Sequence, residues 1–277
     1  MVQLKLRRFD MSSINDDSIV VMLGKRRTGK SYLVKDLLWY HQDLPVGTVV
    51  SPTECVNEFY SSIVPSLFIH DAVTPELLAS FVRRQRLITK RMTRDIARMG
   101  ASKIDPRAFL LLDDCLYDKT WANNEQIRFL FMNGRHIKSL VLITMQYPLG
   151  IPPNLRTNID YTFILRENNV SIQKRIFDNY AGMFPNFQAF SDVLSQTTSN
   201  HECLVIHNGS TSSKLEDQVF WYRAEPKGDF RIGAPEFWRW HQELCENADD
   251  DDGEDLMDAS KMRSARAGPL VNVKKTL

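Results

Sequence analysis

The sequence predicts an α/β protein: a mainly parallel central sheet flanked by helices. Two observations carry this. Between residues 19 and 165 short apolar runs alternate with helical patterns, the order that gives parallel strands joined by right-handed crossovers. Three of the runs, Ile19–Leu23, 108–112 and 140–144, are apolar without alternation, as strands covered on both faces must be.

The elements follow in order. Residues 1–18 are polar with a few apolar positions, and fit either an edge strand or a loosely attached segment. After the strand Ile19–Leu23, residues Tyr32, Leu33, Leu37 and Leu38 fall at helical spacing, up to about Gln42. Residues 46–51 and 66–70 are the next strand candidates, with a short helix over 53–62 between them. Thr74-Pro75-Glu76 then opens a long helix, with Thr74 as N-cap and Pro75 at the first helical position. Its apolar stripe is Leu78, Phe81, Ile88, Met92, Ile96 and Met99. Between Arg83 and Arg107 there are nine bases against two acids. That surface fits a solvated face keeping a long helix soluble, and equally one that contacts phosphates. The strand 108–112 ends in Asp113-Asp114. A helix over 123–132 is expected to end at Asn133-Gly134, with the glycine left-handed. Strand 140–144 leads into Met145 and Gln146. Pro148, Gly150, Pro152 and Pro153 then interrupt regular structure. A strand over 159–165, helices over 171–180 and 185–194, strands over 202–207 and 218–221, and an aromatic helix over 235–245 complete the pattern.

The chain thus reads as one domain over 1–246 followed by a low-complexity charged tail, 247–277, with few large apolar residues and no reason to pack. From Glu246 onward eight acids face five bases, so that segment is −3 and the rest of the chain +4. A basic body is compatible with nucleic-acid binding. No apolar run approaches the ~20 residues that span a bilayer, and residues 1–18 lack the apolar core of a signal peptide. This predicts an intracellular protein without direct membrane insertion. Cys55, Cys115, Cys203 and Cys245 are scattered, as are the six histidines, so neither a disulfide framework nor a structural metal is expected.

Chemistry concentrates after the first strand. Gly24-Lys25-Arg26-Arg27-Thr28-Gly29-Lys30-Ser31 matches G-x-x-x-x-G-K-[ST] at every fixed position, between strand and helix as the motif requires. The glycines allow a tight turn, the N–H groups point inward at an anion, and the helix N-terminus adds positive charge. Lys30 reaches the β- and γ-phosphates of ATP, and the Ser31 hydroxyl ligates Mg2+. Asp113, after four apolar strand residues, suits a second metal ligand, and Asp114 beside it could deprotonate an attacking water. The pair also fits a solvated strand end. Gln146 closes the following strand. If the two strands are neighbours, its amide faces the γ-phosphate or the water; otherwise it is a polar strand end in solvent. Arg135 and Arg156 are candidates to stabilise transition-state charge, or to form surface salt bridges.

Gly24–Ser31, Leu110-Leu111-Leu112-Asp113-Asp114, Asn133-Gly134-Arg135-His136, Ile143-Thr144-Met145-Gln146-Tyr147 and Leu155-Arg156-Thr157-Asn158-Ile159-Asp160 together resemble the genome-packaging ATPases of nucleocytoplasmic large DNA viruses, within the FtsK–HerA group. The resemblance covers roughly residues 15 to 210. It implies a RecA-like P-loop ATPase in a hexameric or pentameric ring that drives double-stranded DNA into a capsid. It also implies work at host-cell assembly sites in the cytoplasm, with capsid or inner-membrane viral proteins as docking partners. By position it makes Gly24 to Tyr32 the nucleotide contacts, Ser31 and Asp113 the Mg2+ ligands, Gln146 the γ-phosphate sensor, and Arg135, then Arg156, the arginine finger. Asp114 departs from the glutamate common at its position. Two other classes fit a P-loop: a small-molecule kinase, and a nucleotide-gated DNA-binding scaffold without turnover.

Overall fold

The computed structural model describes residues 4–115 and 121–249. Its strands are β1 (Ile19–Leu23), β2 (Gly47–Val50), β3 (Ile69–His70), β4 (Ala108–Asp113), β5 (Ser139–Met145), β6 (Tyr161–Ile164), β7 (Glu202–His207) and β8 (Val219–Arg223). They form one sheet in the order β3-β2-β4-β5-β1-β6-β7-β8. The strands from β3 through β6 in that order are parallel, and β7 and β8 are added antiparallel at one edge. This is the RecA-like P-loop ATPase arrangement: β1, which leads into the P-loop, lies between β5 and β6, and β4 pairs with the far side of β5.

The helices are α1 (Lys30–Tyr40), α2 (Glu54–Asn57), α3 (Pro75–Met99), α4 (Glu125–Asn133), α5 (Pro153–Arg156), α6 (Val170–Tyr180), α7 (Phe187–Thr197) and α8 (Pro235–Asp249). Period-two alternation sends Ile19, Val21 and Leu23 into the layer beneath α3, α4, α6 and α7, and Val20 and Met22 into the layer beneath α1 and α8. Both faces of the central strands are dry, which is why their sequences show no polar alternation. Among the described residues no helix is long and apolar enough to cross a membrane.

Three local expectations are corrected. The described part of residues 1–18, from Leu4, adds a single bridge to the sheet edge rather than a strand, and it is not loose. Phe9 N–H donates to Trp221 O at 2.8 Å and Trp221 N–H to Arg7 O at 3.1 Å. Phe9, Met11 and Ile14 are buried, and the Phe9 ring meets those of Tyr161, Phe163 and Phe220 edge-on. The buried apolar side chains and a parallel bridge between Arg8 and Trp221 together hold the segment down. Gly134 is not left-handed: it is right-handed helical at φ −53, and a 3-10 turn continues to Ile137, where Lys138 at φ 54 ends it. The α3 stripe packs only in its first half. Leu78 and Phe81 are buried, but Ile96 is 46% and Met99 66% exposed. At the other end of the chain α8 runs to Asp249, so the first residues assigned to the tail continue a helix; residues 250–277 lie outside the described residues.

A polar cluster ties α1 to the start of β4. His41 Nδ1–H donates to Asp16 Oδ1 at 2.7 Å, and Arg107 donates to Asp16, Asp43 and Asp105, each at 2.7 Å. The hydrogen bond from His41 holds the Asp16 carboxyl below its ordinary value of 3.8; burial opposes this and Arg107 reinforces it. A carboxyl depressed in the folded state contributes stability above its unfolded pKa and loses it as pH falls through the folded one. Asp16→Asn should therefore cost about 1–3 kcal/mol at neutral pH and flatten the acid limb of stability below about pH 4. Thermal melts from pH 7 to pH 3 check this, and parallel acid limbs for the two proteins would refute it.

Candidate active site

The strands β1, β4 and β5 end side by side. Gly24 N–H donates to Met145 O at 3.1 Å, so the loop leaving β1 begins beside the end of β5. A Cβ on Gly24 would lie 2.8 Å from Thr28 Oγ1 and 2.9 Å from Leu165 Cβ, a space only glycine fits. Gly29, at φ +100, turns the chain into α1. The Thr28 hydroxyl donates to Lys25 O at 2.7 Å and closes the curl. The first N–H groups of α1 are left facing the hollow of the loop.

Lys30 folds back across this loop. Its Nζ donates to Gly24 O at 2.7 Å and Lys25 O at 3.0 Å, and the residue is buried. Burial lowers its pKa, and the charges of Asp114 and Asp113 oppose that shift. An ammonium so held has only carbonyls as direct partners. Together with the glycine-shaped loop it fits the phosphate chain of a nucleotide. Lys25, by contrast, is tied to Glu167 at 2.6 Å.

The carboxylates divide at the end of β4. Asp113 is buried, with Oδ1 accepting from the Thr144 hydroxyl at 2.6 Å and Oδ2 from the Tyr60 hydroxyl at 2.8 Å. Thr144 is its register partner on β5. Burial first, then the Asp113 charge, push the Tyr60 phenol well above its ordinary value, so it stays a donor. Glu54 fixes the Tyr60 loop by accepting from Tyr60 N–H at 2.8 Å and Ser61 N–H at 2.7 Å. Asp114 turns out of the strand at φ 50 and is exposed; its N–H donates to Thr144 Oγ1 at 3.0 Å. Its carboxylate accepts from the amide of Gln146. β5 is adjacent to β4, and the Gln146 amide is engaged by Asp114.

These groups border one cleft of about 640 Å3, open between the P-loop, the β2–α2 segment and the end of β4. Arg26, Arg27, Gly29, Lys30, Ser31 and Tyr32 line one side, and Asp113, Asp114, Glu54 and Tyr60 the other. The set can seat a polyphosphate on the loop and Lys30, and hold a divalent cation between the Ser31 hydroxyl and the Asp113 carboxylate. It can also polarise a water at the Asp114–Gln146 pair. His201 enters the cleft from the loop before β7, where it and Asn200 are both left-handed at φ 63 and 54.

Arg135 and Arg156 are not brought to this cleft. Arg135 lies in the 3-10 turn before β5, at the opposite end of the sheet, with its side chain 65% exposed and bonded to Asp160. Asp160 Oδ2 in turn accepts from Ile19 N–H at 2.8 Å, at the start of β1. The Arg156 guanidinium sits over the Tyr180 ring, 5.6 Å from its centroid. Tyr60, Glu54, Thr144 and His201 are missing from the sequence-based set. Only Thr144 had a signal, its place in an apolar strand one residue before Met145 and two before Gln146.

No family model matches the chain. Protein L437 of Acanthamoeba polyphaga mimivirus is 39% identical over 241 residues, covering 87% of this chain and 84% of that protein. Protein 088R of Invertebrate iridescent virus 3 is 33% identical over 250 residues, covering 84% and 92%. Among solved structures, the genome packaging NTPase B204 from Sulfolobus turreted icosahedral virus 2 in complex with AMP aligns at TM-score 0.50 and 15% identity, over 77% of this chain and 100% of that one. That likeness is one of fold.

Proposed function

The chain belongs to a family of large-DNA-virus proteins that includes L437 and 088R, and we propose that it is the motor its motifs resemble: a Mg2+-dependent ATPase that translocates double-stranded DNA and packages a viral genome into the capsid. The observation that carries this reading is the convergence on one cleft of the Lys30 loop, the buried Asp113 and the exposed Asp114 bonded to Gln146. The loop N–H groups and Lys30 bind and orient the phosphates. Ser31 and Asp113 would hold Mg2+, which would supply positive charge against the phosphates. Asp114 takes the proton of the attacking water, with Gln146 fixing the orientation of its carboxylate.

Arg26 and Arg27 of the P-loop line the cleft of their own chain, whereas Arg135 and Arg156 do not, so a finger role for either of those two would be played from a neighbouring subunit. Arg135, exposed at the far end of the sheet and bonded to Asp160, is the first candidate for that role within the proposed ring of five or six copies. Host-cell assembly sites, with capsid or inner-membrane viral proteins as docking partners, fit the family's viral membership.

The test is ATP hydrolysis by the full chain with and without duplex DNA. Turnover that requires Mg2+ and rises with duplex is the expected result. Turnover indifferent to DNA but transferred to a small acceptor would make the protein a kinase. Nucleotide binding without turnover would make it a scaffold, a reading kept open by the shorter Asp114.

A further inference from the structure

We infer that the outer half of α3 is the surface that grips the duplex, through its sugar–phosphate backbone; the inference rests on the DNA-motor reading above. The helix is anchored mainly through its first half, with Ile88, Thr89, Met92 and Asp95 half-buried beyond it. Leu78, Phe81, Val82 and Gln85 are its buried residues, and from Arg86 to Met99 none is buried. Gln85 pins it where it leaves the body, its amide donating to Pro106 O at 2.8 Å and Ile137 O at 2.9 Å. Beyond that point stands an arm.

Arg83, just before that point, and five cations of the arm share one side. At about 100° per residue, Arg83, Arg86, Lys90, Arg91, Arg94 and Arg98 fall within an arc of about 140°, along about 22 Å of helix. Among the described residues none of the six has a carboxylate at ion-pair distance. Some cations elsewhere are paired, among them Arg7 with Asp217, Arg8 with Glu225, Arg107 with three aspartates, Lys138 with Asp17 and Lys227 with Asp36; what sets the α3 row apart is that six cations follow one another on one side of one helix. Arg86 is oriented without an anion, its guanidinium 3.9 Å from the centre of the Phe129 ring. With Arg83, Lys90 and Gln126 it borders a groove of about 580 Å3 between α3 and α4.

Such a face works against the helix. Arg86 and Lys90, Lys90 and Arg94, and Arg94 and Arg98 are like charges four residues apart, each pair slightly unfavourable. The helix is nevertheless capped at both ends, by the Thr74 hydroxyl on Leu77 N–H and by left-handed Gly100. An unpaired, one-sided row of cations is relieved by a polyanion, whose condensed counterions are released on binding. The row contains no aromatic side chain, so it offers no platform on which the bases of a single strand could stack. A duplex backbone needs none, and a length of about 22 Å matches roughly two-thirds of a duplex turn.

The test is binding of a labelled duplex to the full chain across a salt series, comparing the natural protein with Arg86→Gln/Lys90→Gln/Arg94→Gln. Glutamine keeps helix propensity, and circular dichroism verifies that the helix persists. The variant should bind at least about tenfold more weakly, with a log–log salt slope shallower by about 2 to 3. ATP turnover without DNA should be unchanged and its stimulation by DNA lost. Arg86→Lys/Arg91→Lys/Arg94→Lys, which keeps the charge, should retain binding. If the natural protein binds duplex and the glutamine variant matches it in affinity and slope, the arm is excluded while the motor reading stands. If the natural protein hydrolyses ATP but binds phosphatidylserine vesicles and not duplex, the arm is a membrane surface and the inference falls. If it neither binds duplex nor hydrolyses ATP, the motor reading falls with it.

Discussion

Lys30→Ala should lower ATP turnover by at least about a hundredfold, the loss typical of removing one donor aimed at developing charge, and leave the protein no less stable. The two halves of this expectation have one cause. In the folded chain the Lys30 ammonium is buried against two backbone carbonyls, and burial lowers its pKa. Keeping a charge there costs folding free energy that the surrounding structure does not recover. The cost is recovered only when an anion enters the loop. Alanine removes both the cost and the purpose. Paired measurements decide it: turnover in a coupled assay, and the thermal midpoint without nucleotide. A variant that hydrolyses ATP as fast as the natural protein would remove Lys30 from the site. A variant that melts much lower would make Lys30 a structural residue.

Asp113→Asn should combine a comparable loss of turnover with a measurable loss of stability. The carboxylate accepts from two buried hydroxyls, Thr144 on one oxygen and Tyr60 on the other. A carboxamide has a single acceptor oxygen, and its NH2 can only donate. One hydroxyl is stranded in a dry setting, at a cost of about 1–3 kcal/mol. Tyr60→Phe in the same background should recover part of that cost, because the stranded donor is then gone, and a double-mutant cycle by denaturant unfolding would read the coupling. Additive effects would show that Tyr60 and Asp113 act independently. For function, the variant should still bind nucleotide yet fail to respond to Mg2+, seen as a flat magnesium titration of turnover.

The P-loop was legible because its chemistry demands particular residues at fixed intervals, between a strand and a helix that announce themselves by apolar pattern. The inner strands were legible because both of their faces are dry. The contacts that complete the site are of another kind. Thr144 meets Asp113 only through the register of β4 against β5, and register between strands 31 residues apart leaves no local trace. Tyr60 sits in a segment without periodicity, and reaches the site because Glu54 ties down its backbone. Arg135 misleads by proximity: it is eleven positions from Gln146, yet β5 carries the chain about 23 Å between them. The α3 stripe has a clear helical period, but a period cannot say how far along the helix a partner covers it.

Both described borders of the sheet offer little free strand edge. At one border β3 is only two residues long, and at the other the segment around Phe9 occupies the backbone of Trp221. Among the described residues, neither border offers a long free strand, so joining copies by extending the sheet, a route that is hard to reverse and prone to aggregation, is disfavoured. Any ring must be joined by side-chain contacts among loops and helices, which loosen and re-form cheaply. A machine whose subunits let go and re-engage on every turnover has use for such a seam.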